Sequence, residues 1–165
     1  MSNHWVLALA YWLHLIATVL WIGGLTALGL LVMPAARRTL QPADFSRLLA
    51  EIQKRLDPLG WFCLAVLAGT GMFQLSANPN YQGFLQIEST WGIAILVKHI
   101  LFFGMAALSA YLTWGLLPAM RRAALRQAKD PAEAAHLEQR NLRLLRLNLI
   151  LSLLILALTA LARAS

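Results

Sequence analysis

The run from Trp5 to Met33 contains no Asp, Glu, Lys or Arg, and it limits the possible folds more than any other feature of the chain. At about 1.5 Å per helical residue it reaches roughly 40 Å, more than the roughly 30 Å hydrocarbon core of a bilayer. It is therefore predicted to be a transmembrane helix. It is also predicted to be uncleaved, because the apolar region of a signal peptide is much shorter and follows basic residues. His14 lies in its interior. An imidazole at that depth is costly to bury and ordinarily faces a bundle interior or a cavity, which makes it a candidate functional residue.

Further apolar runs follow, and with 59% hydrophobic and 13% charged residues the 165-residue chain has a membrane composition. We read residues 1–165 as a single integral membrane domain with spans at about 5–33, 59–77, 91–117 and 147–161. The predicted fold is all-α, a four-helix transmembrane bundle. Of the 14 basic residues only Lys98 and Arg163 fall outside the first and third connections. That asymmetry places both connections in the cytoplasm and both termini outside. The net charge of +7 then orients the protein and contacts lipid headgroups, and nucleic acid is not a predicted partner. Cys63 is the single cysteine, which excludes an internal disulfide and any Cys-x-x-Cys metal or haem-attachment motif.

Span one is expected to stop at Pro34 ahead of Arg37 and Arg38. Between Ala43 and Leu56 the residues Phe45, Leu48, Leu49, Ile52 and Leu56 recur at helical spacing. They predict a cytoplasmic amphipathic helix between spans one and two, the alternative being an extension of either span. Asp57-Pro58 is expected to open span two, Ser89 or Thr90 to cap span three, and Leu117-Pro118 to end it. Asp130-Pro131-Ala132-Glu133 reads as a helix start from which span four rises continuously. No internal repeat is predicted.

Inside the bilayer, His14 lies about 13 Å past Trp5 and His99 about 12 Å past Trp91, so the two imidazoles are predicted to be level. Spans one and three run in the same direction and are expected to face each other diagonally across the bundle. Two level imidazoles across a core suit a b-type haem, one on each face of the iron. Tyr11, Thr18 and Trp21 share the His14 face, and Gly69 and Gly71 on span two are candidates for clearance around a flat ligand. Lys98 has no acid at its depth and is expected to snorkel outward, lose its proton or find an anion, for which a haem propionate would serve. The candidate cofactor-binding residues are thus His14, His99, Lys98, Tyr11, Thr18, Trp21, Gly69 and Gly71, with His14 and His99 as metal ligands. Met33, Met72, Met105 and Met120 are read as packing residues at different depths, not one cluster.

At His14, Trp21, Gly23 and Gly24, together with Lys98 and His99, the chain resembles the CopD-like family of small integral membrane proteins. More distantly it is similar to the HemJ-type protoporphyrinogen oxidases, whose first-span histidine and third-span lysine would correspond to His14 and Lys98. The resemblance implies haem or porphyrin binding, or copper handling, in a bacterial plasma (inner) membrane. The function predicted first is a haem b protein acting as an electron-transfer module or accessory subunit. The alternatives are a protoporphyrinogen IX oxidase, and a copper-binding or copper-transport protein. Expected partners are the lipid bilayer, haem, and either other membrane subunits or further copies of the chain.

Overall fold

A computed structural model of the protein describes residues 3–81, 83, 89–126 and 131–164. It is built from four helices long and apolar enough to cross a membrane, His4–Thr39, Arg47–Ser76, Thr90–Ala123 and Ala132–Ala164, and the described residues include no strand. The all-α, four-span architecture is as predicted. Span one comprises α1 (Asn3–Thr26), a π-helical segment (Ala27–Val32) and α2 (Met33–Thr39). Span two is α3 (Pro42–Ser76). Span three comprises α4 (Thr90–Ala110), a second π-helical segment (Tyr111–Leu116) and α5 (Leu117–Arg126). Span four is α6 (Pro131–Ala164). The Ser89 side chain caps α4 by accepting a bond from the Gly92 N–H at 3.0 Å, as expected. Asp130, the other predicted cap, lies outside the described residues.

The prolines do not stop the spans where expected. Pro34 and Pro118 are each preceded by a six-residue π-helical segment whose last turn is closed by a wide bond, Met33 N–H to Leu28 O and Leu117 N–H to Leu112 O. The wider turn shifts the hydrogen-bond register, so that the missing proline N–H and the bulk of the ring are accommodated and the helix continues. Pro58, expected to open span two, lies inside α3.

The predicted amphipathic helix is the first part of α3, continuous with span two. It does not rest in the lipid interface by its apolar face. Phe45 and Leu49 are buried in a core with Leu28, Met33, Ala36, Leu142 and Leu145, and Ile52 and Leu56 pack against that core. The ends of spans one, two and four together enclose this face with protein. The Arg37–Glu138 ion pair at 3.0 Å ties α2 to α6 at the same end.

Most packing is within two antiparallel hairpins, α1 with α3 and α4 with α6, and α1 against α6 joins them. Contrary to the expectation of no internal repeat, the hairpins match each other. Both π-helical segments lead into Pro-Ala-x-Arg-Arg, at Pro34 and at Pro118. Counting back equally from them pairs His14 with Lys98 and Trp21 with Met105. Helices α3 and α6 both open on Pro-Ala-acid, Pro42-Ala43-Asp44 and Pro131-Ala132-Glu133. Counting on equally pairs Cys63 with Ser152, Thr70 with Thr159 and Gln74 with Arg163. The pairing extends to hydrogen bonds: Thr70 Oγ1 donates to Val66 O at 2.6 Å and Thr159 Oγ1 to Ile155 O at 2.8 Å, and Val66 and Ile155 are themselves a matched pair. Two parallel repeats related by an axis along the membrane normal have this arrangement.

Across the seam between spans two and three, Trp61 and Trp114 stack with centroids 5.0 Å apart and planes at 14°. In a double-mutant cycle of Trp61→Ala and Trp114→Ala in detergent, we expect a coupling of about 0.5–1.5 kcal/mol, the usual worth of such a pair beyond its buried area. Strict additivity of the two losses would contradict the stacking.

Candidate functional site

A cavity of about 460 Å³ opens among all four spans, in the half of the bundle away from the arginine-rich connections. His14, Thr18 and Trp21 line it from α1, Gly71, Met72 and Gln74 from α3, and Lys98, His99, Phe102, Phe103 and Met105 from α4. From α6 come Ser152, Ile155, Thr159 and Arg163. Six of the eight predicted residues, His14, Thr18, Trp21, Gly71, Lys98 and His99, therefore border one space. Tyr11 and Gly69 do not. The Tyr11 ring lies under the Arg163 guanidinium, 5.1 Å from its centroid. Gly69 is exposed on the outer face of α3, one helical step from Thr70, and a Cβ there would meet nothing within 4 Å. Helical spacing names the face that a residue shares but not how wide a sector of it the neighbouring helices enclose.

Hydrogen bonds fix the chemistry of both imidazoles. His14 Nδ1 lies 2.8 Å from Thr70 Oγ1. The Thr70 hydroxyl has one proton and gives it to Val66 O. Toward His14 it can only accept, so Nδ1 carries the hydrogen and Nε2 the lone pair. His99 Nδ1 lies 2.7 Å from Ile95 O. A carbonyl only accepts, so here too Nδ1–H donates and Nε2 is the basic nitrogen. Imidazoles that bind metals are oriented in this way, by a second acceptor on the far ring nitrogen. Gly71 lies against the His14 ring, where an added Cβ would sit at an ordinary 3.5 Å from Cε1. The ring itself therefore does not demand glycine at this position.

Two kinds of residue in the cavity were not predicted to be there. Met72 and Met105, read as packing residues deeper than Met33 and Met120, both border it. Met105 is buried, and its Sδ lies 3.2 Å from Ser152 Oγ, whose proton goes to Asn148 O at 2.8 Å and which accepts from Trp21 Nε1 at 2.9 Å. Arg163, near the end of α6, joins Lys98 in the same lining, and that lining includes no Asp or Glu. The sequence signals were present, a methionine next to Gly71 and an arginine closing the last span, but neither reveals its partners until the helices are set in register. Among the described residues no group of three or more His, Cys, Asp or Glu side chains is placed to hold a metal ion. Any metal in this cavity would rely on imidazole nitrogen and thioether sulfur.

The repeat bears on the predicted haem geometry. It pairs His14 with Lys98, so His99 stands one residue away from the matched position, turned by about 100° around the helix. Two imidazoles clamping one iron symmetrically is therefore not an arrangement that the repeat imposes.

In ¹⁵N NMR of histidine-labelled protein, we expect His14 and His99 both as Nδ1–H tautomers. Thr70→Val should shift the His14 signals and leave those of His99 in place. A His14 ring protonated at Nε2 in the unmodified protein would contradict the assignment.

Comparison with known proteins gives one family. The model for CopD, described as copper resistance protein D, matches residues 50–162, which takes in spans two, three and four. No curated protein and no solved structure matches the chain.

Proposed function

Because the chain belongs to the CopD family, we propose that it handles copper(I) within the membrane and binds it in the larger cavity between His14, His99, Met72 and Met105. One observation carries this: two imidazoles with their Nδ1 hydrogens already committed share a single space with two thioethers. Soft sulfur ligands select copper(I), and imidazole is among the ligands that suit copper. No carboxylate competes for the ion in that lining. In this reading the arginine-rich connections lie in the cytoplasm of a bacterial inner membrane and anchor on anionic lipid, so the cavity is nearer the outer face.

A second reading has its own support. Lys98 and Arg163 put two positive charges on the lining with no acid beside them, and about 460 Å³ is room for far more than one ion. A flat tetrapyrrole with carboxylate edges would suit both features, with His14 and His99 at the iron of a haem b and Lys98 and Arg163 on its propionates. Bound haem would supply one-electron redox chemistry. The surrounding residues would orient it and exclude lipid. Porphyrinogen oxidation would use the same apolar space, with the porphyrin as substrate.

Metal analysis and an optical spectrum of one detergent-purified sample separate the two. We expect copper(I) retained at one equivalent in the larger cavity under reducing conditions, with no Soret band. His14→Ala and His99→Ala should each weaken binding at least tenfold, and Thr70→Val about 10- to 100-fold through the orientation of His14. A red protein with a Soret band lost in His14→Ala would replace copper by haem. A sample that binds neither would remove both.

A further inference from the structure

A second cavity, of about 100 Å³, lies toward the arginine-rich end, and Trp21 borders both cavities. Three side chains on the lining of the smaller one hold a polar atom without a hydrogen-bond partner among the described residues, Gln53 Oε1, Asn141 Nδ2 and Asn148 Oδ1. These side chains are 8%, 1% and 1% exposed. Unpartnered buried polar atoms are rare in native proteins, and three around one cavity indicate polar contents. Their spacing and chemistry say of what kind. Asn141 and Asn148 stand two turns apart on α6, about 10 Å along the bundle, and Gln53 faces the same space from α3. Two of the atoms accept and one donates. A single ion neither reaches both ends of such a row nor satisfies both kinds of atom, whereas a file of waters does both. One water needs about 10–15 Å³ of such space, so the cavity has room for several.

Among the described residues on this lining, Asp57 is the one charged side chain, and the Cys63 thiol is the other ionisable group. Asp57 is half-buried, one helical turn from Gln53, and Arg121 of α5 is the neighbouring charge that acts on it. It therefore stands between the cavity and the aqueous phase at the arginine-rich end. The far end of the row is closed to protons. The Ser109 hydroxyl gives its proton to Met105 O at 2.9 Å and accepts from Asn148 Nδ2 at 2.9 Å. The Ser152 hydroxyl gives its proton to Asn148 O at 2.8 Å and accepts from the Trp21 indole at 2.9 Å. A proton passes along a hydrogen-bonded row only where each group can both accept and donate. Here each hydroxyl proton is held by a backbone carbonyl, and the indole N–H has no lone pair to offer.

We propose that the smaller cavity is a water-filled proton inlet, entered at Asp57, lined by Gln53, Asn141 and Asn148, and closed at Trp21. Uptake forms an O–H bond on the Asp57 carboxylate and breaks one in hydronium, and no electron moves. The inlet brings the aqueous phase to one side of an indole whose other side borders the larger cavity, and it stands whatever that cavity binds.

The test uses the full-length protein in lipid bilayers. In water-edited solid-state NMR we expect magnetisation to pass from water to the side-chain amides of Gln53, Asn141 and Asn148 in the unmodified protein. Gly24 borders the cavity about one turn from Trp21, and an added Cβ there would meet nothing within 4 Å. Gly24→Leu should therefore fill the closed end and abolish the transfer to Asn148 while that to Gln53 persists. In infrared spectra, a protonated-carboxyl band should grow as the pH is lowered and be missing in Asp57→Asn. Liposomes containing the protein should hold an imposed pH gradient as well as empty ones. Amides that receive no magnetisation from water would show a dry cavity and overturn the inlet. A carboxyl band that ignores pH, or that survives in Asp57→Asn, would remove Asp57 as its entrance. A pH gradient that collapses through the protein would contradict the closed end.

Discussion

A polar side chain in the hydrocarbon layer has no water to complete its hydrogen bonds, and the way this protein meets that demand organises the bundle. Thr70, Ser109 and Ser152 each direct a hydroxyl proton to the carbonyl four residues earlier on their own helix. Each oxygen then becomes an acceptor pointing at a neighbouring helix. Thr70 receives His14, Ser109 receives the Asn148 amide and Ser152 receives the Trp21 indole. Such interhelical bonds contribute about 0.6 kcal/mol each on average, so their importance lies less in stability than in setting register and ring orientation. The same bond that joins α1 to α3 also fixes which nitrogen of His14 carries the lone pair.

The correspondence between the hairpins bears on how a small chain acquires an asymmetric interior. Two similar hairpins about one axis would produce a cavity with identical walls. Divergence at the matched positions gives His14 opposite Lys98, Gln74 opposite Arg163, Trp21 opposite Met105 and Cys63 opposite Ser152. At these four positions the first hairpin carries imidazole, amide, indole and thiol, and the second two basic side chains, a thioether and a hydroxyl. Toward the opposite end the walls change to buried amides, and an indole divides the two environments.

Much of this was legible in the sequence, for identifiable reasons. Bilayer thickness sets a length that apolar runs must meet, so the four spans and the candidacy of His14, Lys98 and His99 follow from where charge is absent and where it intrudes. Helix ends were harder to read. Pro34 and Pro118 are punctuation in an ordinary α-helix, and only the π-helical register before them lets the chain continue. The amphipathic start of α3 has the same pattern whether its apolar face meets lipid or protein, and the length of the neighbouring helices decided for protein. Met72, Met105 and Arg163 join the cavity through interhelical register, which spacing along one helix does not encode. The repeat went unread because it survives at a few proline, acidic, basic and hydroxyl positions in a leucine- and alanine-rich background.

On the copper reading, the larger cavity is a mixed nitrogen and sulfur site for a soft monovalent metal. X-ray absorption at the copper edge, on protein loaded with one equivalent under reducing conditions, tests it most directly. We expect a copper(I) edge with both imidazole nitrogen and thioether sulfur in the coordination shell, the sulfur contribution falling in Met105→Leu. A shell of oxygen alone, or the four-nitrogen signature of a porphyrin at the iron edge of the same sample, would contradict it.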